Sequence, residues 1–119
     1  MLNLDTHILL HALHGTVTLR EKAALSKDRW GISSIVLWEI ATLYRLKRIT
    51  LSLDHPLLLN ALAQLEIWPI SREVCLNIAA LDFRSDPADE LIASTSLTYG
   101  APLMTRDKKI RASKVIRIL

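Results

Sequence analysis

Residues 82–107 read DFRSDPADELIASTSLTYGAPLMTRD, and this stretch decides the architecture. Asp86-Pro87 opens a helix, because Asp caps the free N–H groups of a first turn and Pro is pre-set for its first position. Gly100 ends that helix, since glycine takes the left-handed C-terminal conformation at no steric cost. Pro102-Leu103-Met104-Thr105 follows as a short strand, and Arg106-Asp107 leaves its end. Carboxylates thus stand at a helix start (Asp86, Asp89) and just past a strand end (Asp107), positions that line the crevice of an open parallel sheet.

The same alternation continues outward. Leu2-Asn3-Leu4 reads as a strand followed at once by Asp5, then a helix over about 6–13 that Gly15 stops. A second short helix covers about 19–26, with Arg20, Glu21 and Lys22 on its charged face. Trp30-Gly31-Ile32-Ser33 is the second strand, and Ser33 or Ser34 can cap a helix running to about residue 47. Asp54-His55-Pro56 opens a helix to about 65. Ile67-Trp68-Pro69-Ile70 is the third strand, and Ser71 caps a helix to about 81. A short turn of helix over 108–112 precedes a last strand, 115–118. Strands alternating with helices predict an α/β fold with a central parallel sheet of about five strands and helices on both faces.

The totals agree with one domain over residues 1–119, long enough for a real core. Half the residues are apolar, which excludes a disordered chain. No apolar run approaches the roughly 18 residues of a membrane-crossing helix. The first residues lack the basic flank and small-residue cleavage site of a signal peptide. The single cysteine, Cys75, sits in an apolar helical pattern and has no internal partner, which suits a reducing cytoplasm. A net charge of +3 permits an anionic partner without demanding one.

Four acids follow similar signals. Asp5 follows the first strand, Glu39 lies in the helix after the second, Asp89 is in the first turn of the helix before the fourth, and Asp107 follows the fourth. In a doubly wound sheet all belong near one edge. Crowded carboxylates repel and raise one another's pKa, and a hard divalent cation with oxygen ligands relieves the repulsion. The chemistry that most often follows is metal-assisted phosphodiester hydrolysis. Each acid also has a plainer reading. Asp5, Asp86 and Asp107 can cap helices, and Asp89 can satisfy first-turn N–H groups. Glu39, among Ile35, Val36, Thr42 and Leu43, needs a cation, an Arg or Lys partner, or a gap to solvent.

These residues resemble a known family. LDTH over 4–7, SIVLWEIATL over 34–43, DFRSDPADELIAS over 82–94 and GAPLMTRD over 100–107 are similar to PIN-domain ribonucleases, and most of all to the VapC toxins of bacterial toxin–antitoxin pairs. The likeness covers nearly the whole chain, in order. It implies a PIN-like three-layer α/β/α fold and endoribonuclease activity dependent on Mg²⁺ or Mn²⁺. It implies Asp5, Glu39, Asp89 and Asp107 as catalytic acids, with Asp5, Asp89 and Asp107 on the metal and Thr6, Asp86 and Thr105 in support. A small VapB-like antitoxin, a homodimer and a cytoplasmic setting follow from the same likeness. Two positions depart from it: Glu90, where Arg is expected, and His11, where an aromatic is usual.

Other features carry further expectations. Arg106, Lys108 and Lys109, in a cluster with Arg111 and Lys114, can grip an RNA backbone or form a solvated surface helix, and Arg84 can reach RNA or balance Asp82 and Asp86. His7, His11 and His14 share a helical face with zinc-like spacing, but no Cys or acid completes a tetrahedral set. The leucines over 51–65 exceed one core stripe, so another chain or the fold itself covers the excess. Trp30, Trp38 and Trp68 are expected in the core. Rival functions are a catalytically silent PIN-like RNA-binding module, against which all four acids speak, and a receiver-like phosphoacceptor, which needs an acid pair at the first strand that Asp5 lacks.

Overall fold

A computed structural model describes all of residues 1–119. Its elements, in chain order, are β1 (Leu2–Leu4), α1 (Thr6–His14), α2 (Leu19–Leu25), β2 (Trp30–Ser33), α3 (Ile35–Arg45), α4 (Pro56–Leu62), β3 (Glu66–Trp68), α5 (Arg72–Asn77), α6 (Pro87–Tyr99), β4 (Leu103–Met104) and α7 (Lys108–Arg111), with a 3-10 turn at Ile78–Ala80. The boundaries follow local chemistry. Gly15 and Gly100 end α1 and α6 in the left-handed conformation, at φ 69° and 66°. Thr18 and Glu21 form a reciprocal capping box at α2. Ser71 caps α5 through the Val74 N–H.

The sheet has four strands in the order β3-β2-β1-β4. Every pairing is parallel, with Leu2 opposite Trp30, Asn3 opposite Leu103 and Ile32 opposite Ile67. All strand C-termini therefore leave the same edge, and β1 and β2 lie in the middle. The expected fifth strand is reduced to one parallel bridge between Leu103 and Ile118. The physical reason lies upstream of it. Asp82 accepts from the Ser113 hydroxyl at 2.6 Å and the Lys114 N–H at 2.8 Å, at the start of a bend over 114–116. Only 117 and 119 are left to exchange backbone hydrogen bonds with Leu103.

The strands are apolar because helices cover both faces. Leu4, Ile8, Leu9, Ile32, Val36, Ile40, Leu58, Ile92 and Leu103 lie in one continuous buried cluster. One polar side chain sits at its centre. Asn3, in β1, is fully buried and donates from Nδ2 to the Ile92 carbonyl at 3.0 Å and the Ser96 hydroxyl at 2.8 Å. It ties α6 to the central strand.

The three tryptophans separate. Trp68 is buried and stacks on Tyr99, with ring centroids 5.4 Å apart. Gly31 makes room for it, since a Cβ there would lie 2.6 Å from the indole. Trp30 is half-buried and donates from Nε1 to the Leu25 carbonyl. Trp38 departs from expectation, being 59% exposed on the outer side of α3. Cys75 is also exposed, because α5 is one and a half turns long and buries only Val74. In the leucine-rich region Leu51 and Leu58 enter the core, while Leu57 and Leu59 stay half exposed.

Candidate active site

Four elements bring acids to the shared strand edge. Asp5 follows β1 directly, and its Oδ1 accepts from the Ile8 N–H at 2.8 Å. Asp107 stands just beyond β4, and its Oδ1 accepts from the Ile110 N–H at 3.0 Å. Each spends one oxygen on a helix start and keeps the other free of protein hydrogen bonds. Capping and facing the crevice are thus compatible in one side chain. Thr105, fully buried, accepts the Asp107 N–H at its hydroxyl and fixes the turn.

Glu39 reaches the same edge from α3. Its Oε1 accepts from the buried Thr6 hydroxyl, and no Arg or Lys pairs with it. Burial pushes the Glu39 carboxyl above its ordinary range; the Asp89 and Asp5 charges push the same way, and Thr6 and His7 oppose. Asp89 behaves alike. Burial raises it first, Asp107, Asp86 and Asp5 raise it further, and the hydrogen bond from Ser85 Oγ at 3.0 Å opposes. The carboxylates of four elements therefore act on one another through space.

The α6 start differs from its sequence reading. Asp86 occupies the cap position, but its side chain caps nothing. Glu90 reaches back instead, accepting from the Ser85 N–H at 3.0 Å. The departure at position 90 is therefore a loop clasp, and Asp86 is left exposed on the site side. There it lines a cavity of about 470 Å³ together with Glu39 and Trp38. Ser85, which orients Asp89 and holds Glu90, carries no motif of its own in the sequence.

The basic cluster divides. Arg106 is tied to Glu21 at 2.9 and 2.7 Å, to His11 Nε2 at 3.1 Å and to the Thr16 carbonyl at 3.3 Å. It latches α2 and the end of α1 to the β4 exit and is not a free phosphate ligand. His11, at the other position of departure, takes part in the same latch, its Nε2 facing this guanidinium. Lys109 donates from Nζ to the Arg84 carbonyl at 3.1 Å, setting the acidic loop against α7. Arg84 and Lys108 have exposed side chains with no protein partner.

No three His, Cys, Asp or Glu side chains approach closely enough to hold an ion by themselves. For His7, His11 and His14 this ends the zinc reading, because His11 is committed to Thr16 and Arg106. The acids do not close on a common point either. A hard cation that keeps several waters bridges such gaps, and the oxygen-only donor set suits Mg²⁺ or Mn²⁺.

The two shift directions give opposite pH dependences. Glu39 has a folded-state pKa above the unfolded one, so the stability it contributes is present at low pH and is lost as pH rises through the raised value. Glu21 is held down to about 2, first by the hydrogen bond from Arg106. Its contribution is present above the unfolded value of 4.5 and is lost as pH falls toward about 2. With 40% of the Arg106 side chain exposed, screening limits that pair to about 1 kcal/mol or less. In denaturant titrations with EDTA, Glu39→Gln should match wild type at acid pH and exceed it increasingly toward neutrality. Glu21→Gln should fall below wild type near neutrality and converge with it in acid. Parallel curves for Glu39→Gln and wild type at every pH would show that Glu39 is not the strained acid.

Comparison with known proteins identifies the family. A model of the PIN domain family matches residues 3–115. Ribonuclease VapC22 of Mycobacterium tuberculosis is 31% identical over 90 residues, covering 73% of this chain and 69% of that protein. Among solved structures, VapBC2 of Rickettsia felis bound to a promoter DNA fragment superposes with a TM-score of 0.74 at 22% identity, covering 100% of this chain and 98% of that one. FitAcB of Neisseria gonorrhoeae gives 0.72 at 19% identity, covering 100% and 96%. A toxin–antitoxin complex of Klebsiella pneumoniae gives 0.66 at 24%, covering 94% and 91%. With its parallel sheet, its acids on one strand edge and a family match over nearly its full length, the chain belongs to the PIN domain family.

Proposed function

We propose that this chain is a divalent-metal-dependent endoribonuclease acting as the toxin of a toxin–antitoxin pair in the cytoplasm. The observation that carries the chemistry is the set of Asp5, Glu39, Asp89 and Asp107, delivered from separate elements to one edge of a parallel sheet, with Glu39 and Asp89 both raised by burial and by the neighbouring acids. Asp5, Asp89 and Asp107 would hold Mg²⁺ or Mn²⁺, with Glu39 beside them. When bound, such an ion stabilises charge on a phosphate and makes a water acidic enough to attack at neutral pH. The rest is done by the chain itself. Thr6 holds Glu39 in place, Ser85 aims Asp89, and Thr105 fixes the backbone under Asp107. Glu39, held by Thr6 beside the ion and not on it, is suited to accept a proton from the attacking water.

The toxin role rests on the relatives, one named a ribonuclease and another solved as a toxin–antitoxin complex. A VapB-like antitoxin and a second copy of the chain are the partners this reading carries. The half-exposed Leu53, Leu57 and Leu59 are apolar surface suited to one of them. A silent RNA-binding module is the alternative, and the retention of every acid disfavours it.

Incubation of purified chain with a structured RNA decides between them. Cleavage with Mg²⁺ or Mn²⁺ that stops in EDTA is the expected result; binding without cleavage under either ion points to the silent module. Replacing Arg84, Lys108 and Lys109 together by Ala should weaken RNA binding and flatten its salt slope, by about one unit for each phosphate contact removed. Arg106→Ala should act chiefly on stability, through the Glu21 latch. An unchanged salt slope in the triple variant would leave those cations as solvated surface.

A further inference from the structure

Trp38 and the cavity beside it have no part in holding a cation. The indole is 59% exposed, an unusual state for the largest apolar side chain in the protein. It precedes Glu39 in α3, and the cavity between α3 and the start of α6 is walled by Ile35, Trp38, Leu43, Pro87 and Leu91. Glu39, Thr42 and Asp86 are its polar lining, and the Asp86 side chain has no hydrogen bond within the protein. The cavity thus offers an aromatic face, an apolar wall, two carboxylates and a hydroxyl, with no basic side chain.

We propose that this cavity receives one unpaired nucleobase of the RNA substrate, stacked against Trp38, with its amino or imino N–H edge toward the carboxylates. The inference rests on the ribonuclease reading and deepens it by naming a base-binding subsite. The chemistry selects this occupant. Stacking on exposed aromatic rings and pairing along the Watson–Crick edge are how proteins hold splayed-out RNA bases. Carboxylates accept from amino groups such as cytosine N4. A phosphate is repelled from this end, and the nearby cations accommodate it instead. Lys109 bonds to the Arg84 carbonyl, two residues before Asp86 in the chain, which puts cations on the loop that leads into the cavity's acidic lining. The base beside the scissile phosphate then turns inward. Of the ordinary bases, those with an exocyclic amino group satisfy the two acceptors best.

The test is a binding measurement that needs no cleavage. Labelled single-stranded oligoribonucleotides are titrated by anisotropy, in EDTA, into wild type, Trp38→Ala and Trp38→Phe. A parallel RNA series carries an abasic ribose at each position in turn. Trp38→Ala should weaken the intact RNA on the order of tenfold to a hundredfold, while Trp38→Phe keeps most of the affinity. One abasic position should weaken wild type by a similar factor and add nothing in Trp38→Ala. Because Trp38 is exposed, the melting curve of Trp38→Ala should overlay wild type. Equal RNA affinity of Trp38→Ala and wild type overturns the subsite, as do abasic losses that multiply with the mutation at every position. So does a Trp38→Ala variant that binds RNA normally but loses an amphipathic antitoxin peptide, which assigns the cavity to a protein. Absence of cleavage when Mg²⁺ or Mn²⁺ is added in place of EDTA, alongside a Trp38-dependent base effect, would strike the nuclease reading alone.

Discussion

Asp89→Asn should lose RNA cleavage at least about a hundredfold while remaining, in EDTA, no less stable than wild type. Few substitutions separate activity from stability so cleanly, and the reason is electrostatic. Burial and the charges of Asp107, Asp86 and Asp5 disfavour the ionised Asp89 carboxyl, so an isosteric amide removes a cost carried by the fold. Ser85 Oγ keeps an acceptor, because the amide oxygen can take the place of Oδ2. Wild type should gain on the order of 2–3 kcal/mol when Mg²⁺ or Mn²⁺ is added at a hundredfold excess over its dissociation constant, and the variant clearly less. A helix-start role predicts the reverse: a loss of a few tenths of a kcal/mol from the dipole, persistent cleavage and an undiminished metal response. The structure already weakens that role, since Asp89 accepts from Ser85 and not from a first-turn N–H. Thermal melts with and without Mn²⁺, together with one cleavage gel, check it; a fully active variant with the wild-type metal shift would remove Asp89 from the site.

The legible parts of this chain are those governed by near neighbours in sequence. The glycines after α1 and α6, the Ser71 cap and the parallel alternation all rest on interactions within a few residues, and they stand where the spacing predicts them. So do Asp5 and Asp107, whose places follow from the strands before them. What was not legible depends on distant contacts. Arg106 reads as one of a run of cations, yet Glu21, 85 residues away, occupies its guanidinium. The capping box at Thr18 and Glu21 was the one available sign that this acid is held in place. The final strand fails because Asp82 holds Ser113 and Lys114, a contact that strand propensity cannot see. Trp38 misleads for a related reason. An aromatic beside apolar neighbours reads as core, but the 100° step of the helix turns it outward while Val36 and Ile40 face inward. Asp86 shows the limit of motif reading. The Asp-Pro pair marks the helix start correctly and assigns the wrong side chain to the capping, because Glu90 and Ser85 clasp the loop first.

Asn3→Ala should destabilise the chain by about 2–4 kcal/mol, lowering its melting temperature on the order of ten degrees. Asn3 is fully buried in a central strand, between Gly31 of β2 and Leu103 of β4. Its Nδ2 makes both hydrogen bonds to α6, at the Ile92 carbonyl and the Ser96 hydroxyl, while its Oδ1 is buried with no partner. The fold therefore tolerates one unsatisfied acceptor to keep two donors in place. Those donors set how α6 lies along β1, two residues before Asp5 and one turn after Asp89. Truncation to Ala removes them and opens a cavity. Asn3→Leu separates the terms: it fills the space, removes the orphan oxygen, and leaves Ser96 free to donate to the Ile92 carbonyl one turn back, as Thr95 and Thr98 do to Leu91 and Ser94. Asn3→Leu should thus lie within about 1 kcal/mol of wild type in stability. Its cleavage and its metal-induced stabilisation should nonetheless fall, because an apolar contact permits sliding where two hydrogen bonds fix the register. Denaturant unfolding of both variants and melts with added Mn²⁺ give the answer. An Asn3→Leu protein with wild-type stability, cleavage and metal shift would show that β1 and α6 are aligned by the surrounding core, and that the buried amide is not what sets Asp5 against Asp89.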